Sequence, residues 1–191
     1  MNKNKNTAEL ILDTAQAIVQ DVGFNGFSYS HIAEKIGIRT ASIHYHFPNK
    51  EDLGEALIAR YRKNFIAASV QFDNETSNNL ERLRKFTLMY AEPVQDYCTC
   101  LGVMLSTDLG ALSGKAGEGL AEFLTANLDW LQRVLEDGQR EGQLYFEGDA
   151  SVQAHLFLAS LQGAQLLAKS FRDRSRFDRI ANGVLSALTV K

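Results

Sequence analysis

Phe27-Ser28-Tyr29-Ser30-His31-Ile32-Ala33-Glu34-Lys35-Ile36-Gly37-Ile38-Arg39-Thr40-Ala41-Ser42-Ile43-His44-Tyr45-His46-Phe47-Pro48-Asn49-Lys50-Glu51-Asp52-Leu53 holds two short helical patterns around a tight turn, then the start of a third. Ser28 or Ser30 caps the first, whose apolar residues Ile32, Ala33 and Ile36 share one stripe. Gly37 supplies the left-handed backbone that ends it, and Ile38 plugs the turn. Thr40 is placed to cap a second helix over 41–47, which turns only Ile43 and Phe47 toward a core. Pro48 stops that helix, and Asn49 caps a third with Lys50 in its first turn.

The other face of the second helix carries Arg39, Thr40, Ser42, His44, Tyr45 and His46. So many donors on an element this short do not serve its stability. A short helix pinned by two apolar residues and lined with donors is the recognition helix of a helix-turn-helix, which lies in the DNA major groove.

The run from Gly37 to Leu53 resembles the helix-turn-helix of the TetR family of bacterial repressors. That family's pattern is roughly Gly-Val-Ser-x-Gly/Ala-Ser/Thr-Leu/Ile-Tyr-x-His/Tyr-Phe-x-x-Lys-Glu-x-Leu. The resemblance implies that Thr40, Ala41 and Ser42 approach base edges or phosphates. It implies that Tyr45 and His46 touch bases, thymine methyls or the backbone, and that Lys50 meets a phosphate at a helix N-terminus. Ser28 and Tyr29 are expected to clamp the DNA backbone. Arg39 stands where the family often has Ser, and His44 where it usually has a phosphate-binding Tyr, which bears on base preference and one backbone contact.

The net charge of −3 looks wrong for a DNA binder until it is divided. Residues 1–64 carry eight Lys/Arg against seven Asp/Glu, or +1, and residues 65–191 carry twelve against sixteen, or −4. DNA affinity would then rest on a local patch of Lys3, Lys5, Arg39 and Lys50 with helix N-termini. Mean hydropathy of −0.19, the absence of a run of about 18 apolar residues and a polar Met1–Asn6 lead predict a cytoplasmic protein without membrane contact.

Thr7 begins a helix to about residue 22 with Ile11, Ala15, Ile18, Val19 and Val22 on one stripe; Phe24 and Phe27 plug the connection that follows. A long helix runs from Glu51 to about Phe72. Leu80–Tyr97 is helical with a kink at Pro93, and 101–112 is a short apolar piece. Further helices cover 116–141, 151–171 after an Asp149 cap, and 175–188. The 151–171 helix is apolar on two faces. One face carries the small row Ser160, Ala164 and Ala168, and one chain's core cannot satisfy both. With the last helix it is expected to form a four-helix interface between two copies, as the TetR resemblance also implies.

The expected fold is all-α. A three-helix DNA-binding domain covers 1–50, and a helical effector-binding and dimerisation domain covers 51–191. The expected partners are a double-stranded DNA operator, a second copy of the chain and a small-molecule or electrophilic effector.

Cys98 and Cys100 are too close in sequence to staple a fold and too few for structural zinc. His44 and His46, two apart on a helix, point about 200° apart and cannot share an ion. No metal or cofactor is expected. The segments Cys100–Ser106 and Gly163–Lys169 resemble those of the N-ethylmaleimide reductase repressor subgroup, which senses electrophiles and oxidants. That resemblance implies a reactive Cys100 with a thiolate favoured by Lys169, and Cys98 as a resolving thiol or without a role. The alternative is a reversible apolar ligand in a pocket drawn from Met89, Tyr90, Pro93, Tyr97, Met104, Trp130, Leu161 and Gln165. A small α-helical enzyme with Cys100 as nucleophile is the rival class, but no histidine or acid is recognisably placed to assist it and the donor row stays unexplained. His155 is expected to be a satisfied core or interface histidine.

Overall fold

The computed structural model describes residues 7–112 and 114–189, so Lys3 and Lys5 of the expected basic patch lie outside the described residues. The elements are α1 (Thr7–Val22), α2 (Tyr29–Ile36), α3 (Thr40–His46), α4 (Lys50–Glu75), α5 (Asn79–Ala91), a 3-10 turn (Pro93–Asp96) and α6 (Leu101–Thr107). A second 3-10 turn (Leu109–Ala111), α7 (Gly114–Arg140), α8 (Ala150–Phe171) and α9 (Ser175–Ser186) complete the order. The described residues contain helices and no strands, so the fold is all-α.

Two compact units emerge. The first joins residues 1–62 to 101–123, and the second joins 63–100 to 124–191. The expected boundary at residue 50 falls at the start of α4, which continues unbroken, and α6 with the first turns of α7 belongs to the first unit. The physical reason is packing, since α1 lies against α6 as well as against α2 and α3.

In the first unit, Ile11, Ala15, Val19, Ile32, Ile43, Leu53 and Leu57 are fully buried and form the core, closed by Phe24 and Phe27. Val22, expected on the buried stripe of α1, is half exposed because that helix is ending there. Arg60 fastens α4 to α1. Its guanidinium donates to Asp13 at 2.8 Å, to Gln16 at 2.9 Å and to Glu9 at 3.3 Å, three residues on one face of α1.

In the second unit, α8 packs against α5 and α9. Ala164 and Ala168 of the expected small-residue row are buried within this unit. The face of α8 left in solvent instead shows Val152, Leu156, Leu166, Leu167 and Phe171. α5 does not pass through Pro93 with a kink; it ends at Ala91. Proline lacks the N–H for the next rung and crowds the preceding turn. The chain goes on as a 3-10 turn and reverses at Tyr97, a non-glycine residue at φ +54°. α4 likewise outlasts the expected end at Phe72, and Asn78 caps α5 through a hydrogen bond from Glu81 N–H at 2.9 Å.

Close to the end of α7, a methyl group at Gly138 would stand 2.4 Å from Leu144 Cδ1 and 3.0 Å from Asn79 Cβ, both on buried residues. Gly138→Ala should therefore destabilise the chain by about 1–3 kcal/mol despite alanine's better helix propensity. A thermal melt by circular dichroism checks the sign.

Candidate nucleic-acid interface

The motif assembles from local rules. Ser28 has extended backbone and is the N-cap of α2; its N–H donates to Nδ1 of His31 at 3.3 Å, so a histidine fills the place a Glu takes in a capping box. Ser28 Oγ and Ser30 Oγ lie 2.7 Å apart. Gly37 ends α2 at φ +72°, with the N–H of Ile38 returning to the carbonyl of Ala33 at 3.0 Å. The residue with extended backbone before α3 is Arg39, so Thr40 is the first helical residue and not the cap. Asn49 and Asp52 exchange backbone-to-side-chain hydrogen bonds and start α4.

On α3 only Ile43 is buried, and Phe47 follows it into the core. Arg39, Thr40, Ala41, His44 and Tyr45 are exposed, Ser42 and His46 half-buried, and Tyr45 stands 84% in solvent. Tyr45 meets His46 edge to face, with centroids 5.1 Å apart.

Two expected DNA-contacting side chains have internal tasks. Tyr29 is buried, and its hydroxyl is aimed at the backbone carbonyls of Phe47, at 2.9 Å, and Asn49. Its ring lies on His44, which in turn bonds the carbonyl of Pro48 through Nδ1 at 3.0 Å. Burial, with the nearby Asp52 carboxylate, pushes the Tyr29 phenol up to about 12. The Lys50 ammonium donates to the carbonyl of Phe27 at 2.6 Å and sits over the rings of Phe27 and Phe24, 4.3 and 4.9 Å from their centroids. Burial lowers its pKa, and the Asp108 carboxylate partly opposes the shift. A shallow recess of about 310 Å³ is lined by Phe27, Ser28, Tyr29, His44 and Lys50.

The expected effector residues are divided between the two units. Met104 belongs to the first unit, whereas Tyr90, Tyr97, Cys100, Trp130, Gln165 and Lys169 belong to the second. There, Gln165 is buried and bridges two elements. It donates to the carbonyl of Tyr90 at 2.7 Å and accepts the N–H of Cys100 at 3.0 Å. Tyr90 Oη donates to Asn127 at 3.2 Å. Phe86 stacks on Tyr90 at 4.8 Å and on Trp130 at 5.5 Å, and Trp130 Nε1 reaches Asp73 at 3.4 Å. Cys100 is 2% exposed, Cys98 and Lys169 are half-buried, and Tyr97 is exposed. His155, expected in the core or an interface, is exposed and bonds the Ser151 carbonyl one turn back on its own helix. Among the described residues, no group of three or more His, Cys, Asp or Glu could hold a metal ion. Among the same residues, no helix is long and apolar enough to cross a membrane.

Residues 11–57 match the family described as "Bacterial regulatory proteins, tetR family", and residues 79–184 match "Tetracyclin repressor-like, C-terminal domain". The chain belongs to the TetR family. As a member it is a DNA-binding transcriptional regulator, and relatives carry the names of regulators. A TetR-family regulator from Agrobacterium tumefaciens shares 32% identity and a TM-score of 0.90, covering 96% of this chain and 97% of that one. A TetR regulator from Legionella pneumophila shares 31% identity with a TM-score of 0.88, over 99% and 100% of the two chains. The HTH-type transcriptional repressor NemR of Escherichia coli is 25% identical over 181 residues, 90% of this chain and 89% of NemR.

Of the side chains that organise the TetR-type head, Asp108 was missed by sequence reasoning, because a carboxylate in a short apolar piece carries no local signal of what it will touch. Arg60 left a faint one: Glu9, Asp13 and Gln16 recur on one face of α1 and call for a cation.

Tyr29 makes a pH prediction. Because the folded pKa is raised above the ordinary 10, its contribution to stability is complete below pH 10 and is lost as pH climbs through 12, at up to about 1.4 kcal/mol per pH unit. In a phenol absorbance titration Tyr29 should ionise only near pH 12, so Tyr29→Phe should remove one phenol's worth of absorbance from the late phase.

Proposed function

We propose that the chain is a homodimeric repressor that grips a palindromic operator with α3 and lets go when an effector acts on the second unit. The observation that carries this reading is the exposure of α3. The helix commits Ile43, with Phe47 just beyond it, to the core and leaves Arg39, Thr40, Ala41, His44 and Tyr45 in solvent. Thr40, Ala41 and Ser42 lead toward the bases, with Tyr45 and His46 on bases or backbone. Ser28 and the N-terminal N–H groups of α2 supply phosphate contacts. Tyr29 and Lys50 contribute by bracing the motif from inside as well as by lining the recess beside it.

The apolar stripe of α8, Val152, Leu156, Leu167 and Phe171, supports a second copy as its cover. Two copies would then read half-sites related by a two-fold axis. The similarity to the repressor NemR supports repression as the sense of regulation.

For the effector, the buried Tyr90–Gln165–Cys100 chain is the natural point of entry, because Gln165 ties α5, α8 and the residue preceding α6 together. Addition of the Cys100 thiolate to an electrophilic carbon of a quinone would swell this packed point: the thiol proton leaves to solvent, the S–C bond forms as the C=C pair moves onto the carbonyl oxygen, and solvent returns the proton to the adduct. A reversible ligand bound among Tyr90, Trp130 and Gln165 would do the same without the bond. Either acts only through unequal affinity for the DNA-competent and DNA-incompetent states.

Selection of duplexes from a random-sequence pool should yield one preferred, two-fold-related sequence. On it, Tyr45→Ala should bind about 5- to 150-fold more weakly, as expected for losing about 1–3 kcal/mol of base contact, with an unchanged melting temperature. Failure to enrich any sequence refutes the reading. Titrating the same complex with benzoquinone separates the two modes of sensing: wild type should release DNA at about one equivalent per subunit and Cys100→Ser should not. An identical response from both proteins removes the thiol from the mechanism.

A further inference from the structure

Asp108 lies between α6 and the 3-10 turn Leu109–Ala111, 84 residues from the loop it touches. Its Oδ2 accepts the N–H of Phe24 at 2.7 Å and that of Asn25 at 3.2 Å, and its Oδ1 accepts Nδ2 of Asn25 at 2.8 Å. Three donors on a single carboxylate are charge-assisted bonds of the strong kind.

The loop is shaped to receive it. Gly23 stands at φ +84°, and a Cβ there would lie 2.9 Å from Asp108 Oδ2 and 3.5 Å from Met104 Cε. Glycine is thus demanded both by the backbone and by the closeness of the α6 segment. The ring of Phe24 meets that of Phe27 edge to face at 5.8 Å, and the Lys50 ammonium lies over both while bonding the Phe27 carbonyl. The next residue, Ser28, caps α2, and Tyr29 after it holds the end of α3. Each step of this chain lies within the first compact unit.

We infer that Asp108 is a positioning residue for DNA binding: it fixes the loop between α1 and α2, and through Phe24, Lys50 and Phe27 it sets how α2 and α3 are presented. A displacement of α6, which begins at the residue after Cys100, withdraws the carboxylate and slackens the head. This rests on the reading that α3 faces DNA, and the two are tested separately.

Asp108→Ala and Asp108→Asn are made in the full chain, and amide hydrogen exchange is followed without DNA. In Asp108→Ala the Phe24 and Asn25 amides should exchange at least about tenfold faster, as for a lost bond to a charged acceptor. The acceleration should extend into α2 and α3 while the middle of α9 is unchanged. Asp108→Asn, which keeps one carbonyl oxygen, should fall between. Acceleration confined to residues 24 and 25, or none, overturns the inference.

The second arm uses duplexes selected by the wild-type protein. Asp108→Ala should lose at least about tenfold in affinity for the selected duplex, with affinity for a scrambled duplex and the salt slope unchanged, because no phosphate contact is removed. Equal loss on both duplexes marks general damage and overturns the inference. Coupling is reciprocal, so the selected duplex should in turn slow exchange at Phe24 and Asn25 of the wild type. A wild type that selects no duplex refutes the DNA reading, and the exchange arm still decides the role of Asp108.

Discussion

A seven-residue helix does not stand alone in water, since the cost of its first turn is never repaid by so few hydrogen bonds. α3 is such a helix, and every other feature of the first unit follows from the need to hold it. Ile43 and Phe47 give it two apolar anchors, and Tyr29 ties the backbone at its C-terminal end to the start of α2. On the face turned away from those anchors His44 meets the Tyr29 ring and the Pro48 carbonyl, while Arg39, Thr40, Ala41 and Tyr45 stay in solvent. The chain can therefore place donors at those exposed positions.

The support runs outward in shells. Asn49 and Asp52 close the first turn of α4, Lys50 fills the gap between two phenylalanine rings, and Arg60 pulls α4 onto α1. Asp108 brings the α6 segment into the same assembly. The second unit has its own centre in stacked aromatics, Phe86 between Tyr90 and Trp130, and in the buried amide of Gln165. α4 and the Cys100–Leu101 peptide join the two units covalently. A third connection is the Phe123–Leu124 peptide within α7.

Much of the fold was legible. Thr7, Gly37, Pro48, Asn49 and Asp149 are local signals whose geometry is decided within a turn or two, and helix ends fell where they stand or within a few residues. Thr40 was misjudged as a cap because Arg39, with no favourable side chain for the role, takes the extended backbone. Pro93 ended α5 instead of bending it, since nothing there replaces the missing N–H. The row Ser160, Ala164 and Ala168 was legible as close packing, but its partner lies within the protomer for Ala164 and Ala168. Periodicity shows that a face is buried and is silent on what covers it.

By itself, the sequence determined the all-α class, the helix-turn-helix and the donor-lined flank of α3, because each rests on contacts within a few residues. Only tertiary structure decided that Lys50 points inward to the Phe27 carbonyl, that Met104 and Cys100 fall in different units, and that Asp108 clamps a loop 84 residues away. These depend on where two distant segments meet, and the spacing around a side chain does not name its hydrogen-bond partner across such a distance.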